Sequence, residues 1–206
     1  MLNSPIFKRE IKRISKRAGL LVILSSPTAG GKTTVGRALV KRGKGNIVRS
    51  VSATSRLPRK GEANGKDYFF VGDSFKTLVK KKKFLEWEKV HDSHYGTPKA
   101  FIEKQVAKGK AIILTIDVKG GIAVRKKIKN SILIFLLPPS PAVLQKRLQK
   151  RGTENKKQVA LRLKTAAEEL KYINKYDYLV INDSLPAAVK SIESIIIAER
   201  HKIGEK

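Results

Sequence analysis

An apolar run, Leu20 to Leu24, leads directly into Ser25-Ser26-Pro27-Thr28-Ala29-Gly30-Gly31-Lys32-Thr33-Thr34. A strand that turns into a helix N-terminus makes backbone N–H groups converge on an anion. In the pattern GxxxxGK[ST], the lysine reaches the outer phosphates of a nucleotide and the following hydroxyl ligates Mg²⁺. Lys32 and Thr33 hold those two places. The pattern asks for glycine at position 26, where this chain has serine. A serine at a tight turn with positive φ is expected to be strained or to shift the loop. Gly30 and Gly31 still leave room for close backbone approach. Taken alone, the loop says nucleotide phosphate and no more.

A second group of chemistry-bearing residues follows. Arg56 and Arg59 stand three apart with Pro58 between them, suited to fork onto one phosphate from two directions. Tyr68 and Tyr95 offer neutral phenolic donors to the same oxygens. Glu86 lies within Phe84-Leu85-Glu86-Trp87, a carboxylate among large apolar residues. Guanine presents N1–H and its N2 amino group side by side, which a carboxylate accepts; adenine places an acceptor at N1, which a carboxylate repels. A buried polar group matched to one base discriminates strongly. Without its neighbours, Glu86 reads as a surface salt-bridge residue. The same holds for Arg147, Arg151 and Arg162, which on a helix are ordinarily solvated.

Together these residues resemble guanylate kinase. The run Ser52 to Phe70, with Arg56, Arg59, Gly61, Glu62, Gly65, Asp67 and Tyr68 at that family's spacing, is followed by Glu86-Trp87, Tyr95-Gly96-Thr97 and Asp117. The likeness runs from about Leu20 to Glu199. It implies a three-layer P-loop NTPase fold of the α/β class: a parallel sheet with helices on both faces, an inserted β-rich GMP-binding lobe and a helical lid. It also implies phosphoryl transfer from ATP, carried with Mg²⁺, to GMP or dGMP. In that reading the loop Ser26 to Thr34 and Asn182 hold ATP. Arg56, Arg59, Tyr68 and Tyr95 hold the GMP phosphate. Ser52, Glu86, Thr97 and Asp117 read or support the guanine. Lys32, Arg56, Arg147, Arg151 and Arg162 stabilise the transferring group. Thr33 ligates the metal, with Asp117 acting through water. The chain departs from the family at Ser26 and Ala29, where glycine is usual. It departs again at Thr115, where an acidic residue is usual, and at Lys119, which replaces glutamine.

The elements that must position these groups follow from periodicity. Leu20–Leu24, Ala111–Ile116, Ile132–Leu137 and Tyr178–Ile181 read as buried parallel strands. Helical patterns lie between and after them. One runs from Gly31 to Lys41 and ends at Gly43. Another is capped by Thr97 with Pro98 in its first turn, and a third opens at Ser140-Pro141 and closes at Gly152. The last, Pro186 to His201, should pack Val189, Ile192, Ile196 and Ile197 on the sheet. Strands alternating with helices argue for a doubly wound sheet. The stretch from about Ile47 to Gly96 breaks the rhythm with short β-rich segments and turns, including Asn64-Gly65. The expected division is a basic extension, 1–19, then a core of about 20–51, 98–138 and 166–206. The GMP lobe takes about 52–97 and the lid about 139–165.

Composition narrows the class. Lys and Arg number 45 against 17 Asp and Glu, a formal charge of +28. Such a field attracts polyanions, but the lysines are dispersed, with one run at Lys80–Lys83 and little aromatic interleaving. Solvated helix faces are therefore favoured over nucleic-acid binding. No apolar run approaches the roughly 20 residues of a membrane span. Cysteine is absent, which removes disulfides and thiolate metal sites and permits a cytoplasmic setting. The first 18 residues lack a secretory apolar core and read as a surface helix rather than a transit peptide. The expected assembly is a monomer or homodimer. Two rival functions stay in view: a phosphoprotein-binding module that keeps the kinase fold, and a P-loop kinase acting on a phosphorylated sugar. Retention of Lys32 weighs against the first and the guanine-reading set against the second.

Overall fold

The computed structural model describes residues 19–90, 92–150 and 156–203; the basic extension and Arg151 with Gly152 lie outside them. Its centre is a five-stranded parallel sheet of β1 (Leu20–Ser25), β2 (Ile47–Arg49), β7 (Ala111–Thr115), β8 (Ile132–Leu137) and β9 (Tyr178–Ile181), in the order β2-β7-β1-β8-β9. β1 is central, with Leu20 opposite Ala111 and Val22 opposite Ile132.

The unbroken apolar runs follow from burial on both faces. Leu20, Val22 and Leu24 point into one layer with Val35, Leu39, Val189, Ile192 and Ile196. Leu21 and Ile23 point into the other, with Ile102, Ile112, Leu114 and Val124. Helices α1 (Lys32–Arg42) and α7 (Leu185–His201) cover the first face. Helices α3 (Lys99–Ala107) and α4 (Val118–Lys127) cover the second. The expected three-layer α/β architecture is present.

A smaller mixed sheet is inserted between β2 and α3. It is built from β3 (Ala53–Thr54), β4 (Phe69–Phe70), β5 (Phe84–Val90) and β6 (Ser93–Pro98), in the order β4-β3-β6-β5. Helix α2 (Ser74–Lys80) packs on it through Phe75, which stacks on Phe84 at 4.7 Å between ring centroids. After β8 come α5 (Pro141–Lys150) and α6 (Lys156–Leu170), which share an apolar cluster of Leu144, Leu148, Val159 and Ala166 with Ala29 of the phosphate loop.

Several local expectations are corrected. Thr97 caps no helix: it lies in β6, and Pro98 is the N-cap of α3. Ile47–Arg49 belongs to the main sheet, as its edge. β9 is the opposite edge, so Leu179 and Ile181 are exposed and only Val180 is buried. Ile197 also faces solvent, because it follows Ile196 around the helix instead of recurring on the buried face.

Candidate active site

The C-terminal ends of β1 and β7 open into a cleft of about 550 Å³ whose far wall is the inserted lobe. This is where open parallel sheets place their ligands. The phosphate loop forms its floor, and every residue from Thr28 to Thr34 lines it together with Ser26.

The strain expected at Ser26 falls elsewhere. Ser26 does not have positive φ; Ala29 does, at φ 65°, and Gly31 at 101°. Left-handed backbone disfavours alanine by about 1–2 kcal/mol, but the Ala29 methyl is buried against the α5–α6 cluster, which offsets part of that cost. At Gly31 a Cβ would come within 2.4 Å of the Asn182 amide nitrogen, so glycine is required for space as well as for φ.

Lys32, in the first turn of α1, donates to Asp117 Oδ1 at 2.8 Å. Burial would lower the Lys32 pKa, but the Asp117 carboxylate more than compensates and leaves it raised. Lys32 is therefore a fixed cation at the loop's centre. Thr33 and Thr34 follow on the exposed side of the turn.

On the lobe, Arg56 is fully engaged. Its terminal nitrogens donate to both Glu62 oxygens, at 2.6 and 2.8 Å, and its Nε donates to the Tyr95 hydroxyl at 3.1 Å. The guanidinium lies 4.8 Å from the Tyr68 ring centroid and 5.5 Å from that of Phe70. The hydrogen bonds to Glu62 raise the Arg56 pKa, and the same contact lowers that of Glu62. Arg59 stands exposed at the rim, with its backbone N–H donating to Glu62 at 2.8 Å.

Glu86 and Thr97 face each other across the β5–β6 register, and the Thr97 hydroxyl donates to Glu86 Oε1 at 2.5 Å. Glu86 is 6% exposed. Burial pushes its pKa up to about 7, against the lowering effect of the Thr97 hydrogen bond. Thr97 itself does not reach the cleft surface; it acts through Glu86. Ser52, Tyr68, Tyr95 and Asp117 line the same cleft.

The remaining expected residues divide. Arg162 lines the cleft, whereas Arg147 and Asn182 lie behind the phosphate loop. The Asn182 amide donates to the Gly30 carbonyl at 2.8 Å, and Arg147 donates to the Asn182 carbonyl at 3.1 Å. Both border a separate recess of about 330 Å³. Pro27 lines neither space, and Arg151 is outside the described residues.

A family model described as "Guanylate kinase" matches residues 18–199. The chain belongs to the guanylate kinase family. It is 44% identical over 189 residues to a guanylate kinase of Caldanaerobacter subterraneus subsp. tengcongensis, covering 91% of each chain. It is 43% identical over 188 residues to that of Rickettsia typhi, covering 91% of this chain and 95% of the relative. A crystal structure of guanylate kinase from Anaplasma phagocytophilum superposes with a TM-score of 0.75 at 33% identity, covering 91% of this chain and 89% of that one. Guanylate kinases are nucleoside monophosphate kinases that transfer a phosphoryl group from ATP to GMP.

Sequence reasoning had not singled out four residues that bear on this guanylate kinase cleft. Arg37 and Arg49 line its core side. Gly120 of α4 leaves room for Glu86, since a Cβ there would lie 3.3 Å from Oε2. Glu169 of α6 is close enough to Asp117 and Lys32 to interact with both, and burial followed by Asp117 pushes its pKa up to about 7. Arg37 and Glu169 belong to no motif of the sequence, and only the partners brought by distant segments distinguish them.

Proposed function

We propose that this chain phosphorylates GMP with ATP in the cleft between the phosphate loop and the lobe. The carrying observation is the buried Glu86, held by Thr97 from behind, lining the same cleft as Lys32 and Arg56. Ionised Glu86 accepts the guanine N1–H and N2 amino hydrogens, with Thr97 orienting the carboxylate and Ser52 and Asp117 supporting the base. Arg56, Arg59, Tyr68 and Tyr95 hold the monophosphate. Amides of the loop Thr28 to Thr34 and the Lys32 ammonium hold the triphosphate, with Arg147 and Asn182 on the nucleoside side.

An oxygen of the GMP phosphate forms a bond to the γ-phosphorus as the bond to the β–γ bridging oxygen breaks, and ADP leaves with that electron pair. The nucleophile is already ionised, so no side chain has to act as base. Catalysis then consists of alignment and charge stabilisation. Lys32 and Arg162 face the site where charge spreads over the transferring group, and Arg56 fixes the acceptor.

The donor set suits Mg²⁺ delivered on the triphosphate. Thr33 offers a hydroxyl and Asp117 a carboxylate, and no group of three metal-binding side chains gathers among the described residues. Mg²⁺ typically uses one or two protein oxygens, nucleotide phosphates and water. When bound, it neutralises phosphate charge.

ADP production with ATP, Mg²⁺ and each nucleoside monophosphate in turn tests the proposal. Turnover is expected with GMP and dGMP alone. Turnover of AMP or UMP at a comparable rate, or none with GMP, would overturn it.

A further inference from the structure

Two arginines on the core side of the cleft reach across to the lobe. Arg37, five residues beyond Lys32 on α1, pairs with the Asp67 carboxylate. Arg49, the last residue of β2, donates to the Lys66 backbone carbonyl at 2.5 Å. Asp67 is the more buried partner, with its side chain 9% exposed against 52% for Arg37. Its other oxygen accepts the Ala63 N–H at 2.9 Å, while the Asp67 N–H donates to the Ala63 carbonyl at 3.0 Å. The turn from Ala63 to Asp67 is thus tied off around the carboxylate that Arg37 grips. Tyr68 comes next, against both Arg56 and Tyr95.

We propose that Arg37 and Arg49 form a clasp that fastens the lobe to the core, and thereby position Tyr68 and Arg56 for the acceptor phosphate before any nucleotide arrives. Its role in positioning rests on the cleft being the GMP site; the fastening itself does not. An isolated ion pair as exposed as Arg37 contributes little. Here the Asp67 side chain is only 9% exposed while Arg37 covers it, and a second arginine holds the adjoining carbonyl, so two contacts act together on one turn. The two guanidiniums are also near enough to repel. Burial, then Arg37, lowers the Arg49 pKa. Asp67 is the counter-charge that lets both sit on the same cleft wall. Both are positioning residues, acting on the phosphate pocket through the turn.

The absence of cysteine allows two to be placed at will. Lys76→Cys on α2 and Lys190→Cys on α7, both at exposed positions, take spin labels that report the lobe-to-core distance in nucleotide-free protein. The parent should give one narrow distribution. Arg37→Lys should stay close to it, Arg37→Ala should broaden toward longer distances, and Arg37→Glu, facing Asp67, should broaden most. If the closed form falls to about a tenth of the population, the KM for GMP rises about tenfold while kcat at saturation holds. An unchanged distribution in Arg37→Glu, in protein whose melting temperature shows it folded, would refute the clasp. Broadening without any GMP turnover would keep the clasp and discard the substrate reading. Normal GMP turnover with flat distances would do the reverse.

Discussion

The side chain of Ser26 occupies the space that a side chain at position 30 would need. A Cβ built on Gly30 would lie 2.7 Å from both the Cβ and the Oγ of Ser26, and 2.9 Å from the Pro27 carbonyl oxygen. The Ser26 hydroxyl is buried and donates to that same carbonyl at 2.9 Å. A serine at 26 is therefore accommodated because residue 30 has no side chain. The departure from the glycine pattern is a steric exchange between two positions of one loop, with no strained φ at Ser26.

Gly30→Ala is expected to destabilise by about 1–3 kcal/mol through overpacking, lowering the melting temperature by roughly 3–10 °C, and to raise the KM for ATP. Adding Ser26→Gly should recover most of the loss but not all, since the Pro27 carbonyl remains. Thermal melts of the single and double variants check this. Simple additivity of the two changes would show that the positions are independent.

Lys32→Ala should lower kcat by about 10²–10³ or more, as expected for loss of a cation aimed at developing phosphate charge. Folding should hold, because Asp117, the partner of Lys32, can turn to water: the carboxylate is 36% exposed. A steady-state assay beside a thermal melt separates the effects. Retention of near-parent kcat would remove Lys32 from the proposed chemistry.

Arg56→Lys should behave as a severe change. A lysine cannot reproduce the two parallel bonds to Glu62, the Nε contact to Tyr95 and the flat packing on Tyr68. A loss of about 10²-fold in kcat/KM for GMP is expected, with the KM for ATP little changed; bidentate contacts to charged groups support that scale. A uniform rise in both KM values would place the damage outside the acceptor pocket.

The main sheet was legible because Leu20–Leu24 and Ile132–Leu137 are apolar at every position, which only a strand buried on both faces requires. The edges were less so. β2 is three residues long, too short for periodicity; β9 lies where the sequence places a strand, Tyr178–Ile181, but as an edge it buries only Val180. Thr97 before Pro98 has the composition of a helix start, yet its partner is Glu86, eleven residues earlier, through an antiparallel register that no local signal encodes. The glycine pattern points to positive φ at 26, but it lies at Ala29, whose methyl packs in the α5–α6 cluster, and at Gly31, where a Cβ would meet Asn182. Arg37 and Glu169 acquire meaning only when distant segments, carrying Asp67, Asp117 and Lys32, fold against them.

The pH dependence of GMP use provides a test of Glu86. Its carboxyl is raised to about 7 by burial in the nucleotide-free protein. A carboxyl whose folded pKa exceeds its unfolded value favours the protonated fold, so this group's stabilising contribution is present below about pH 4.5 and is lost as pH rises toward 7. Guanine binding has the opposite requirement, because two donors, N1–H and the N2 amino group, need an ionised acceptor. GMP must therefore expel the proton below pH 7, and its KM should rise as pH falls, approaching tenfold per unit between about 6.5 and 5.5. The KM for ATP should not follow the same curve. Glu86→Gln removes the titration and presents a donor where guanine also donates. It should raise the KM for GMP at pH 8 by at least about tenfold and flatten the profile. Initial rates at fixed ATP across pH 5.5–8.5 distinguish the cases. A GMP profile that stays steep in Glu86→Gln would assign the titration to another group, the GMP phosphate, whose second pKa is about 6, or Glu169 next to Asp117.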